Sequence, residues 1–208
     1  MSENLAQIRH IAANYSRLQG LRSVPVGVFG AASGIWLSLP VGQVGDLGAP
    51  LVMIVIASLA YFLVDRYYAR TFGKVKPTGK ERSREIFISV LGGVLGILAF
   101  LFDTADILPV SFLGLVFAAA LFFEYSRSFG KLSFRSIPEA FIAPILIGVA
   151  ALLPALGIFW WQALGIQFSL PGMFVLIGVL MTICGIIGHL RFMRLLASVQ
   201  EARNAQSL

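Results

Sequence analysis

Every lysine and arginine of the chain, 16 in all, falls in one of four short stretches, and long apolar runs separate them. Arg9, Arg17 and Arg22 come first. Arg66, Arg70, Lys74, Lys76, Lys80, Arg82 and Arg84 follow, then Arg127, Lys131 and Arg135, and last Arg191, Arg194 and Arg203. Each interval between basic stretches holds two apolar segments of about 20 residues, the length a helix needs to cross a hydrocarbon layer of about 30 Å. The six runs that qualify are roughly 23–42, 48–66, 85–102, 107–125, 138–158 and 170–190, and none carries a charge in its middle.

This segregation predicts an all-α integral membrane protein, a six-transmembrane-helix bundle. Translocating cations is unfavourable, so the basic stretches stay in the cytoplasm. With an even number of spans both termini share that side, N-in and C-in. The opposite turns carry only Asp46, Asp103 and Asp106 as charges. Residues 1–21 then form a cytoplasmic amphipathic segment, 22–192 the six-helix transmembrane domain and 193–208 a cytoplasmic tail. The expected location is the plasma membrane, in a bacterium the inner one. Trp36, Trp160 and Trp161 fall toward the outer ends of the runs, and Tyr15, Tyr61, Tyr67, Tyr68 and Tyr125 toward the inner ends. Both residue types favour the headgroup level.

Composition agrees. The chain is 58% hydrophobic and 12% charged, whereas a soluble domain carries about 25% charged residues. The formal charge of +6 does not point to nucleic acid. The cations gather at the ends of apolar runs instead of forming one patch. A single thiol, Cys184, can form no internal disulfide. The first apolar run is long enough to span and no small-residue cleavage site stands out after it, so it is expected to remain as a helix.

Local signals set the helix starts. Pro25, Pro50, Pro109, Pro138 and Pro171 each fall in the first turn of an expected helix, where the backbone N–H has no intrahelical partner to lose. Thr78 with Glu81, and Ser136 with Glu139, are spaced as capping boxes. Pro144 and Pro154 lie inside the fifth run and predict a kink there. Residues 3–19 place Leu5, Ile8, Ile11, Ala12, Tyr15 and Leu18 at helical spacing, as in a helix lying on the inner leaflet.

An internal repeat is visible. Arg70-Thr71-Phe72-Gly73-Lys74-Val75 is echoed by Arg127-Ser128-Phe129-Gly130-Lys131-Leu132, and Arg22-Ser23-Val24-Pro25 by Arg135-Ser136-Ile137-Pro138. The spacing fits three same-orientation two-helix hairpin repeats, though common helix-end preferences for arginine and glycine produce similar strings.

Candidate functional residues fall into few groups. Gly27, Gly30, Gly34, Gly92, Gly96, Gly185 and Gly188 are candidates for close helix packing, within the chain or across a homodimer seam. Arg66, Arg70, Lys74, Arg127, Lys131, Arg135, Arg191 and Arg194 form a basic cytoplasmic rim suited to anionic inner-leaflet headgroups or a cytoplasmic partner. Asp65 stands beside Arg66 and Arg70, and Asp106 before Pro109 reads as a helix N-cap. Asp103 and Asp106 supply too few oxygens for a calcium site. Ser33, within Gly30-Ala31-Ala32-Ser33-Gly34, and His189 are the residue types that rhomboid proteases pair. Their depths in the expected bundle nevertheless differ by more than about 10 Å, beyond hydrogen-bond reach. Ser33 is expected to bond within its own helix, and His189 to join the inner rim.

No Asp, Glu, Lys, Arg or His lies deep in any run. Ionisable groups at mid-membrane mark ion and proton pathways, so their lack weighs against ion-coupled transport. No catalytic, metal or cofactor motif is present. The sequence therefore favours a non-enzymatic accessory or anchoring subunit acting through helix contacts and its basic rim. The alternative is a small transporter or lipid-handling protein for a neutral or amphipathic substrate. A lipid-modifying enzyme is the third reading.

Overall fold

A computed structural model of the chain describes residues 20–39, 48–71, 79–105, 108–128 and 139–206. Among them are six α-helices and no strand: α1 (Ser23–Ser38), α2 (Gly48–Thr71), α3 (Gly79–Ala105), α4 (Phe112–Ser128), α5 (Glu139–Leu152) and α6 (Ser169–Gln206). Short 3-10 turns occupy Gly20–Arg22, Leu153–Leu156 and Trp160–Leu164. Each expected run maps onto one helix. Two helices, α3 and α6, contain stretches long and apolar enough to cross a membrane, Ile86–Ala105 and Ser169–Arg194. The apolar stretches of α4 and α5 are shorter, Phe112–Phe123 and Phe141–Leu156.

Several boundaries differ from the sequence reading for identifiable reasons. Pro25, Pro50 and Pro171 each take the third position of their helix, where a missing N–H costs nothing. Pro109 does not open α4. It lies in a bend, and the helix begins at Phe112, after Ser111. Pro154 does not kink a long fifth helix either. The α-helix stops at Leu152, and Pro154 sits at the start of a 3-10 turn closed by Gly157. Gly157 and Gly165 hold φ values of 75° and 73°, the left-handed region that glycine enters without a Cβ penalty. Pro144 lies within α5 and is buried. The last helix continues without a break to Gln206.

The first and last helices form the most extensive contact in the bundle. They run antiparallel with their backbones nearly touching. A Cβ on Gly34 would stand 2.6 Å from the Pro171 carbonyl oxygen, and one on Gly20 2.4 Å from that of Gly185. Midway, a Cβ on Gly178 would meet the backbone nitrogen of Ala31 at 2.3 Å. Gly20, Gly27 and Gly34 recur every seventh residue on one side, as do Pro171, Gly178 and Gly185 on the other. A seven-residue repeat keeps one seam facing a partner helix. Small side chains at that seam let two backbones approach and gain dispersion contacts along their length.

A second core joins α4, α5 and α6. Ala118, Ile147, Ala150, Ala151, Met173 and Ile177 are buried there together. Gly114 belongs to the same contact: a Cβ would stand 2.3 Å from the Met173 terminal methyl and 2.7 Å from the Ala151 methyl. Helix α2 packs on α1, and α3 packs mainly on α4 with a small contact to α6. Among the described residues α2 and α3 share no extended contact. Both expose large apolar side chains along their length, among them Val55, Leu59 and Leu63 on α2 and Phe87, Val90 and Ile97 on α3.

Candidate functional site

The charged side chains with described partners lie at the two ends of the bundle. At one end, α1 begins, α2 finishes and α6 passes. Arg22 Nη2 and Asp65 Oδ1 form an ion pair there, each side chain about one-quarter exposed. One turn further along α2, the Tyr68 hydroxyl and His189 Nδ1 are 2.8 Å apart. Tyr68 and Phe192 are fully buried and meet edge-to-face, with ring centroids 6.1 Å apart. The geometry fastens α2 to both α1 and α6 through long-range contacts. Asp65 thus pairs with Arg22, across 43 residues of sequence, and not with its chain neighbours Arg66 and Arg70. Those two side chains are exposed.

The opposite end is organised by Asp103 near the close of α3. This carboxylate is 8% exposed. It accepts hydrogen bonds from Phe112 N–H at 2.6 Å, Leu113 N–H at 3.1 Å and the Ser111 hydroxyl at 2.7 Å. Ser111 Oγ in turn accepts from Gly114 N–H at 3.2 Å, and Ser111 N–H donates to the Ala151 carbonyl at 3.0 Å. The four N–H groups that open α4, which have no partner inside the helix, are all satisfied. A negative charge also complements the positive end of the helix dipole. Asp103 with Ser111 forms the cap; Asp106, the expected cap, lies outside the described residues. Trp160 Nε1 donates to the Ala150 carbonyl at 3.0 Å and ties the 3-10 segment to α5. Beside it, a cleft of about 280 Å³ is lined by Leu108, Pro109, Val110, Pro154, Phe159, Trp161 and Ser169.

Of the expected packing glycines, Gly27, Gly34 and Gly185 stand at the closest backbone approaches between α1 and α6. Gly30 lies 3.8 Å from the Gly178 Cα, and Gly188 3.4 Å from the Gly20 Cα, both measured from an added Cβ. Gly92 and Gly96 have nothing within 4 Å. On the rim, Arg66, Arg70 and Arg194 are exposed and Arg191 is half-buried. Arg127 lies in the last turn of α4. Lys74, Lys131 and Arg135 fall outside the described residues, as do the amphipathic segment 3–19, the residues Thr78 and Ser136, and most of the repeated strings.

Ser33 Oγ donates to the Phe29 carbonyl of its own helix at 2.8 Å. His189 is committed to Tyr68, so the two form no catalytic pair. Among the described residues no group of three or more His, Cys, Asp or Glu side chains is placed to hold a metal. No protein-family model, curated protein or solved structure matches the chain.

Proposed function

We propose that the protein is a non-enzymatic multi-pass membrane protein that serves as an accessory or anchoring subunit. Its six helices would span the plasma membrane with both termini in the cytoplasm. In a bacterium this is the inner membrane. The observation that carries the reading is the apolar exposure of α2 and α3. Only 11% of the apolar window of α3 is buried within the chain, and its exposed large apolar residues cover more than half of the helix circumference. A monomeric soluble protein seldom leaves contiguous apolar patches beyond a few hundred Å² in water. In hydrocarbon the same surface costs nothing.

The packed α1–α6 and α4–α5–α6 cores support a scaffold more than a carrier with a wide central path. Charges at the ends and none at mid-length fit the same role. Arg66, Arg70, Arg191 and Arg194, with Lys74, Arg127, Lys131 and Arg135, would present the basic rim to anionic headgroups or a cytoplasmic protein partner. A lipid-handling role is the second reading, favoured by the apolar side chains that α2 and α3 leave exposed.

Flotation in alkaline carbonate tests membrane integration, and the reading requires that the chain stay with the bilayer. Photo-crosslinking residues at Val55 and Phe87 then test the accessory role in native membranes. The reading predicts one discrete protein adduct from these exposed positions and none from the buried Ile147. Adducts with lipid alone at every position would contradict it.

A further inference from the structure

Between Glu139 and His189 the chain carries no Asp, Glu, Lys, Arg or His. That stretch takes in the connection from α5 to α6, residues 153–168. The other two connections opposite the basic end contain Asp46 and Asp106. Helix α5 also stops early. Its 14 residues rise about 21 Å at about 1.5 Å each, about 9 Å short of a hydrocarbon core of about 30 Å. With Glu139 at the inner boundary, residues 153–168 begin below the outer one.

This connection meets the conditions that lipid imposes. A backbone group left unpaired in hydrocarbon is costly, and the connection pairs its own. The N–H groups of Gly157, Ile158, Gln162, Gly165 and Ile166 each donate, at 2.9–3.1 Å, to a carbonyl three or five residues earlier. Its side chains are sorted in the same sense. Pro154, Trp161 and Ile166 are buried, and Trp161 lies against Gly172 of α6. Leu164 and Phe168 are exposed, and Leu156, at 75%, is the most exposed large apolar side chain among the described residues. Besides the two indoles, the only polar side chains are those of Gln162 and Gln167, and both are exposed.

We propose that residues 153–168 form a non-spanning element embedded in the outer leaflet. The surface it fits is the boundary between headgroups and acyl chains, where interfacial segments sink their apolar side chains and keep polar ones in contact with water. Leu156, Leu164 and Phe168 enter the acyl layer, and Gln162 and Gln167 reach headgroup water. The inward side chains hold the element on α6, and it lies over the outer end of the short α5. The proposal rests on the membrane reading above.

The test is spin labelling of the full chain in phosphatidylcholine vesicles, in a Cys184→Ala background. Single labels go on Leu156→Cys, Leu164→Cys, Gln162→Cys and, on α3, Ile97→Cys, all at exposed positions. Collisions with dissolved oxygen report lipid, and collisions with a water-soluble nickel chelate report water. The ratio of oxygen to nickel collisions should rise in the order Gln162, then Leu156 and Leu164, then Ile97. Nickel collisions at Leu156 and Leu164 as frequent as at Gln162 would make the connection an aqueous loop and overturn the proposal. Exclusion of both reagents from Leu156 and Leu164 would mean that protein covers them, a second copy for instance, and overturns it as well. Free access of nickel to Ile97 defeats the membrane reading itself, a result distinct from water at Leu156 with lipid at Ile97.

Discussion

Gly27 and Gly178 face each other so closely that a methyl group on either would strike the other's carbonyl oxygen, at 2.6 Å from Gly27 and 2.5 Å from Gly178. The contact is reciprocal and involves backbone on both sides, so no flexible side chain can yield. Helix α1 and helix α6 are thus in backbone-to-backbone contact, and theirs is the most extensive helix pairing among the described residues.

Gly178→Ala is therefore expected to destabilise the protein by about 1–3 kcal/mol, the usual cost of overpacking. Gly92→Ala has open space around it and replaces a poor helix former, so it should be neutral or stabilise by up to about 1 kcal/mol. Thermal unfolding of both variants in the same detergent checks the contrast.

The Asp103 cap makes a second prediction. Asp103→Ala strips acceptors from two backbone N–H groups and the Ser111 hydroxyl, and should cost about 2 kcal/mol. Asp103→Asn keeps one carbonyl oxygen and should retain part of that stability. Hydrogen exchange at Phe112 and Leu113 should rise in the alanine variant ahead of exchange in the α1–α6 core.

The Arg22–Asp65 pair joins α1 to α2 in a partly exposed setting, where such pairs contribute about 1 kcal/mol or less. A double-mutant cycle with Arg22→Ala and Asp65→Ala should return a coupling of that size. Exchanging the residues, as Arg22→Asp with Asp65→Arg, should recover more stability than either single reversal.

Tyr68→Phe removes only the hydroxyl that meets His189, and should cost about 1 kcal/mol. Tyr68→Ala empties a fully buried site and should cost about 3–5 kcal/mol, as for other large aromatic truncations. Denaturant titration of the two variants separates the hydrogen bond from the packing.

The sequence made the number of helices and their rough positions legible, because apolar runs punctuated by charge and proline are local signals. Its errors fall where the deciding partner is distant. Pro109 resembled a first-turn proline, yet α4 begins at Phe112 and is capped by Asp103 of the preceding helix. Asp65 stood near Arg66 and Arg70 in the chain, yet residues one or five apart on a helix do not share a face, and Arg22, in the turn that leads into α1, takes the carboxylate. Tyr68 and His189 carry no mutual signal at a separation of 121 residues. One long-range feature was readable and was missed: the seven-residue recurrence of Gly20, Gly27 and Gly34, matched by Pro171, Gly178 and Gly185.

Cysteine labelling tests the threading of the chain most directly. In a Cys184→Ala background, Gln162→Cys sits on the exposed 3-10 segment between α5 and α6, and Arg194→Cys on the exposed end beyond His189. A membrane-impermeant maleimide applied to intact cells should label Gln162→Cys at once and Arg194→Cys only after the membrane is opened. Labelling of Arg194→Cys in intact cells, or of neither site before lysis, would contradict a bundle that spans the membrane with its basic end inside.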